Sequence, residues 1–178
     1  SLVGAEMCIR DSYALASVRQ PRPARPEVLL ERGPAWESLA KGGAEKAVAA
    51  ADWPTYRANP ARSGLVDSEV PVKLESGWNS EIGGKLSSVS AAGGRVYVAA
   101  VDRHTVYCLD AETGKSLWSY TAGGRIDTPP TIYRGGVYFG SADGWVYALR
   151  SEDGELAWRF LGAPDDRRIF VRGQLESA

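Results

Sequence analysis

Few side chains in this sequence are equipped for chemistry. His104 is the single histidine, which rules out a multi-histidine metal site within the chain. The two thiols are Cys8 and Cys108. They make no disulfide scaffold and do not fix a redox compartment. Cys108 stands in the apolar run Val106-Tyr107-Cys108-Leu109 and reads as a small buried hydrophobe rather than a nucleophile. Asp102 and Asp143 sit in matching short turns, where local backbone hydrogen bonding is the ordinary use of an aspartate. His104 shares the first of those turns and is expected at the surface. Charged residues are more concentrated in two connecting segments, Gly123-Gly124-Arg125-Ile126-Asp127 and Asp165-Asp166-Arg167-Arg168. An arginine there can fork onto a carboxylate or phosphate, or pair with aspartate to join two elements. Arg125, Asp127 and Arg168 are therefore the candidate ligand-facing residues. No Gly-x-Ser-x-Gly, P-loop or Gly-x-Gly-x-x-Gly pattern occurs, and no catalytic or metal-binding residue is identified.

These residues need elements to position them, and composition narrows the choice. The chain has 178 residues, 44% hydrophobic and 24% charged, which suits a folded domain with a tail. Lys plus Arg number 21 and Asp plus Glu 22, a net charge of −1, so bulk attraction to nucleic acid or anionic membrane is excluded as the mode of action. No run approaches the length of a membrane-spanning helix. Twenty glycines, with six tryptophans and eight tyrosines against one methionine, lean toward a turn-rich β protein.

The spacing is decisive. Trp78, Trp118 and Trp158 stand 40 residues apart, and their surroundings repeat with them. Gly94-Arg95-Val96-Tyr97-Val98 corresponds to Gly135-Gly136-Val137-Tyr138-Phe139, and Val106-Tyr107-Cys108-Leu109 to Val146-Tyr147-Ala148-Leu149. A period near 40 carrying short β runs is the signature of propeller blades. The second copy divides into strands at 130–133, 136–141, 145–150 and 156–161. The first divides at 88–91, 95–100, 105–110 and 117–121. Asp-Gly and Gly-Gly steps supply the positive φ that tight hairpins require. Large residues on both faces of each strand suit sheets sandwiched between neighbours. The spacing predicts an all-β partial β-propeller with about two complete four-stranded blades, over 86–121 and 128–161. An earlier outermost strand is expected at 74–81, and a third blade begins near 166. Two blades cannot close a ring, so a larger propeller is expected. Loops at one face would bring Arg125, Asp127 and Arg168 together at the axial rim.

Cys108-Leu109-Asp110-Ala111-Glu112-Thr113-Gly114-Lys115-Ser116-Leu117-Trp118 resembles the tryptophan-docking motif of PQQ-like (quinoprotein) propeller repeats, departing at Cys108, where that family has alanine. The second copy keeps Ala148, Gly154 and Trp158 but carries Arg150, Asp153 and Glu155 at the other motif positions. Asp52-Trp53-Pro54-Thr55-Tyr56-Arg57 with Ala61-Arg62-Ser63-Gly64 is similar to the family's lead-in segment, so the resemblance covers 52–178. It implies that Trp78, Asp110, Thr113, Gly114, Trp118, Gly154 and Trp158 lock sheet to sheet, an indole lying flat on the next blade. It also implies two alternatives. One is a non-catalytic scaffold whose partners are the other blades of its own chain and a protein or small molecule at the propeller face, in the periplasm or at the cell surface. The other is an alcohol or sugar dehydrogenase using PQQ and calcium. The first is favoured, because the dehydrogenases' vicinal cysteine pair is missing and no calcium donor cluster or other cofactor site is evident in this stretch.

The remaining sequence reads as periphery. Residues 1–12, SLVGAEMCIRDS, resemble translated sequencing adapter, so Met7 and Cys8 carry no functional weight. Both ends read as cut, and no signal peptide is visible. Residues 13–51 read as a linker stiffened by Pro21, Pro23 and Pro26. Marginal helix is expected around Trp36, Leu39 and Ala40, with a second short helix within 44–51.

Overall fold

A computed structural model describes residues 27–42, 49, 52–68, 72–164, 168–171 and 173–177. The chain enters through a short strand, β1 (Leu30–Arg32), and one turn of helix, α1 (Trp36–Ala40). The first repeat copy then forms β2 (Ser90–Ala92), β3 (Arg95–Ala100), β4 (Thr105–Asp110) and β5 (Ser116–Thr121). The second forms β6 (Thr131–Tyr133), β7 (Gly136–Gly140), β8 (Trp145–Arg150) and β9 (Leu156–Leu161). A hairpin of β10 (Arg168–Val171) and β11 (Gln174–Ser177) follows. Each copy is an antiparallel meander in chain order, and the molecule is a partial β-propeller. The duplication extends to irregularities: both sheets slip register between the third and fourth strands, at Cys108/Leu109 and at Ala148/Leu149.

The core lies between the blades rather than within either one. Tyr97, Ala99, Val106 and Cys108 of the first sheet pack against Val137, Phe139, Tyr147 and Leu149 of the second, with Ile126 from the connecting segment fully buried among them. Tyr120 of β5 meets both Phe139 and Tyr147, with ring centroids 6.4 and 5.9 Å away. A single sheet with large side chains on both faces leaves one face wet, and the neighbouring blade removes that exposure.

Two features differ from the sequence expectation. The stretch read as linker contains β1, which adds a fifth strand to the second sheet. It pairs antiparallel with β9, with Glu31 opposite Arg159. Gly33 N–H donates to Ala157 O at 2.8 Å, Ala35 N–H to Leu156 O at 3.0 Å and Leu161 N–H to Leu29 O at 2.8 Å. Gly33 is required there because a Cβ would collide with the Leu156 carbonyl. Three residues of strand give no period-two signal, so the pattern was too short to read. The strand expected at 74–81 is absent, and 72–82 is irregular around Trp78. A strand needs a ladder, and no described strand runs alongside this segment. The helix at Trp36 is present. The second helix at 44–51, the adapter-like opening, the proline-rich stretch and Asp165–Arg167 fall outside the described residues, apart from Ala49.

Candidate functional site

The candidate residues Arg125, Asp127 and Arg168 all lie at the end of the blades that carries the Ala142-Asp143 turn. Arg125 O accepts the Ala142 N–H at 2.8 Å, and Arg168 Nη1 donates to Asp143 O at 2.6 Å. Arg125 is turned inward, its side chain only 13% exposed. Its Nε donates to both Asp127 oxygens, at 2.9 and 3.0 Å, and its Nη1 lies 2.9 Å from Glu176 Oε1. That second approach is an ion pair without hydrogen-bond geometry, since Glu176 Oε1 has no hydrogen-bond partner among the described residues. Arg125 thus ties the connection between blades to β11.

The matching turns diverge. Asp143 is buried: Oδ1 accepts the Trp145 N–H at 3.0 Å and Oδ2 accepts the Tyr147 hydroxyl at 2.5 Å. Burial, reinforced by that bond to Asp143, pushes the Tyr147 phenol up to about 12. Asp102 is exposed and offers its backbone carbonyl to Gln174 Nε2 at 3.5 Å. His104 is half-buried, with φ at +57, and its Nε2 lies 3.1 Å from Gln174 Oε1. The expected surface histidine is therefore partly covered, because the β10–β11 hairpin packs over this turn.

The tryptophans occupy equivalent places. Trp78 Nε1 donates to Ala111 O at 2.9 Å, and Trp118 Nε1 donates to Ser151 O at 3.1 Å, 33 residues ahead in both cases. The Trp118 ring lies so close to Gly154 that a Cβ there would sit 2.5 Å from a ring carbon, and the Trp78 ring crowds Gly114 in the same way. Asp110 Oδ1 accepts from the Thr113 hydroxyl at 2.7 Å and the Thr113 N–H at 2.8 Å. Trp158 is half-buried and tilts against Tyr138, 6.0 Å between centroids.

Sequence reasoning missed a cleft of about 350 Å³ between the outer strands of the two blades, walled by Tyr120, Trp145 and Tyr147 and flanked by Arg159 and Arg168. A signal existed, because two of these positions are where the copies disagree: Trp145 replaces Thr105 and Arg159 replaces Ser119. Repeat logic weighs agreements and so passes over such substitutions.

Residues 58–178 match the family model described as "Outer membrane protein assembly factor BamB". The chain belongs to this PQQ-like repeat family. Among its relatives, the Outer membrane protein assembly factor BamB of Moranella endobia is 33% identical over 70 residues, 39% of this chain and 18% of that protein. Quinoprotein ethanol dehydrogenase of Pseudomonas aeruginosa is 31% identical over 108 residues, 53% of this chain and 17% of that protein. The crystal structure of quinohemoprotein alcohol dehydrogenase from Comamonas testosteroni shares the fold, with a TM-score of 0.55 at 21% identity over 70% of this chain and 22% of that one. The chain thus spans roughly a fifth of the length of these relatives.

PQQ-like propellers include cofactor enzymes, so the donor set matters. Calcium needs several converging oxygens. Among the described residues no three His, Cys, Asp or Glu side chains gather at one point, and Asp127 and Asp143 already accept from Arg125, Trp145 and Tyr147. The described residues of this chain do not by themselves assemble a calcium site.

Proposed function

We propose that this chain is part of a non-catalytic PQQ-like propeller that acts as a binding or scaffolding module outside the cytoplasm. The observation that carries the reading is the state of Arg125. A cation at a propeller's ligand face would be held open, whereas this one is inward and gripped by Asp127 and Glu176. The charge of Arg125 therefore joins the connection between blades to β11. The relatives named for outer membrane protein assembly support both the role and the compartment. On this reading Trp78 and Trp118, with Gly114 and Gly154, act as docking locks between successive blades, and Asp110 and Thr113 shape the hairpin that receives one of them. Trp158 would serve the blade after them.

A second reading, part of a PQQ- and calcium-dependent dehydrogenase of alcohols or sugars, draws on the similarity to quinoprotein ethanol dehydrogenase. The full-length protein, incubated with PQQ and calcium and then assayed for dye reduction with ethanol and with glucose, separates the two. The scaffolding reading expects no turnover above the protein-free control. Turnover with either substrate would overturn it. Alanine at Arg125 is expected to lower the melting temperature clearly, as a blade-joining residue should, and a normal melting temperature would count against that role.

A further inference from the structure

The two blades end in equivalent outermost strands that are finished in opposite ways. β5 and β9 pair with β4 and β8 in the same register, down to the same irregularity. β9 is covered by β1, which bonds along its outer edge: Gly33 N–H donates to Ala157 O and Leu161 N–H to Leu29 O, both at 2.8 Å. Glu31 of β1 also neutralises Arg159 at 2.6 Å. β5 has no such cover, and β4 is its sole strand partner among the described residues. The repeat places Leu117, Ser119 and Thr121 where Ala157, Arg159 and Leu161 stand, so their backbone groups point outward. The irregularity lies at the start of β5 and leaves 118–121 regular. β9 carries the same one and still accepts the Gly33 N–H there. β5 reads Ser116-Leu117-Trp118-Ser119-Tyr120-Thr121, without a charge or a proline. Natural edge strands are usually guarded by charge, proline or a covering segment. This one is bare, with Leu117 48% exposed.

We infer that the edge of β5 is a self-association surface, pairing antiparallel with β5 of a second copy of this chain across a two-fold axis at Ser119. In that register 117 faces 121 of the other copy, 118 faces 120, and 119 faces 119. Leu117 then meets the Thr121 methyl on one side of the joined sheet. Trp118 meets Tyr120 on the other, and both contacts occur twice by symmetry. Apolar and aromatic cross-strand pairs of this kind stabilise a sheet, and no like charges are opposed anywhere along the strand. An isologous contact has to be complementary to itself in this way. The same operation at β9 would set Arg159 against Arg159, and β1 already fills that edge. Six residues of strand edge fall below the roughly 1,200–2,000 Å² of a standard interface, so the association is weak and reversible. β5 is the outermost strand of its blade and stays at the rim however many blades the propeller has. The contact therefore stands apart from the scaffolding role, and either can fail alone.

The test is sedimentation equilibrium of the intact chain, in reducing buffer so that Cys8 cannot cross-link two copies. A monomer–dimer equilibrium with a dissociation constant of about 100 μM is expected, the scale of a small interface. Ser119→Lys sets two ammonium groups across the axis, and Ser119→Pro removes an outward N–H. Each should weaken dimerisation at least about tenfold, with the melting temperature nearly unchanged because Ser119 is exposed. If the proline variant melts early, the lysine variant carries the test. Gly33→Val, whose side chain would collide with the Leu156 carbonyl and lift β1 from β9, should leave the dimer intact. A chain that stays monomeric up to about 500 μM, or a dimer undiminished in Ser119→Lys, would overturn the assignment. Should that undiminished dimer disappear in Gly33→Val, β1 exchanged between copies is what holds it.

Discussion

The hairpins joining the last two strands of each blade solve one backbone problem with opposite chemistry. In both, the first residue's N–H bonds the carbonyl five residues on, Asp110 to Lys115 at 2.9 Å and Arg150 to Glu155 at 2.8 Å. In both, a glycine N–H returns to that first residue's carbonyl, Gly114 to Asp110 and Gly154 to Arg150. Yet the residue that organises the turn is an anion in blade one and a cation in blade two. Asp110 accepts from Thr113, whereas Arg150 donates to Asp153 at 2.5 Å and to Glu155 at 2.6 Å. The hairpin tolerates this inversion because the exposed side chains only decorate it. Its shape is set by the glycine, and by the indole of the preceding repeat that requires the glycine to be bare.

Replacing the part both turns share should therefore have the largest effect. Gly114 and Gly154 hold φ at +69 and +76, and a Cβ at either would overlap the facing indole. Gly114→Ala and Gly154→Ala are each expected to destabilise by about 2–4 kcal/mol, combining backbone strain with overpacking, as measured by urea unfolding. Comparable losses would establish that the two contacts are one device used twice. If Gly154→Ala cost little while Gly114→Ala cost much, the equivalence of the blades would be broken.

This shared device is also what made the fold legible. Strands 95–100, 105–110, 145–150 and 156–161 were read to the residue because glycine and aspartate punctuation brackets alternating aromatic and branched residues on both copies. The interblade core followed, since residues large on both faces need two neighbours. The strand β1 was not legible, because three residues held by backbone bonds to β9 leave no pattern. Nor was the inward turn of Arg125, because its partner Glu176 lies 51 residues away with no repeat linking them. The cleft escaped for the same reason: Trp145 and Arg159 are private to the second copy.

A second difference sits inside the blades, where Cys108 and Ala148 occupy the same fully buried position. Burial, opposed by the nearby Arg95 charge, raises the Cys108 thiol from its ordinary 9.0 to about 11. A folded-state value above the unfolded one means that the stability it confers is complete below pH 9 and is lost as the pH rises toward 11. Tyr147, raised from 10.0 to about 12, adds its own loss only above pH 10. Unfolding free energy should therefore fall between pH 9 and 10 by up to about 1.4 kcal/mol. Cys108→Ala, which makes blade one resemble blade two at this point, should flatten that window. In a Cys8→Ser background the folded protein should also resist a thiol reagent at pH 8 until denaturant is added. Rapid labelling of the native protein would contradict the burial.

The smallest effects belong to the turn chemistry itself, and there the blades should respond to different solvents. The Arg150 cluster is an exposed set of ion pairs, and salt at 1 M shrinks the screening length to about 3 Å. The Asp110 turn rests on uncharged donors, the Thr113 hydroxyl and N–H, which salt barely touches. Those donors hold the Asp110 carboxyl below its ordinary 3.8, and the Arg150 guanidinium does the same for Asp153. Both contributions are present above pH 3.8 and lost as the pH falls through the lowered folded values. Asp110→Asn keeps an acceptor and should change stability little at pH 7 while removing part of the acid loss. Arg150→Gln should cost more in dilute buffer than in 1 M sodium chloride. Melting temperatures of the two variants across a grid of pH and salt would read this directly. A salt-dependent penalty in Asp110→Asn, or a salt-independent one in Arg150→Gln, would mean that the turns do not divide their chemistry in this way.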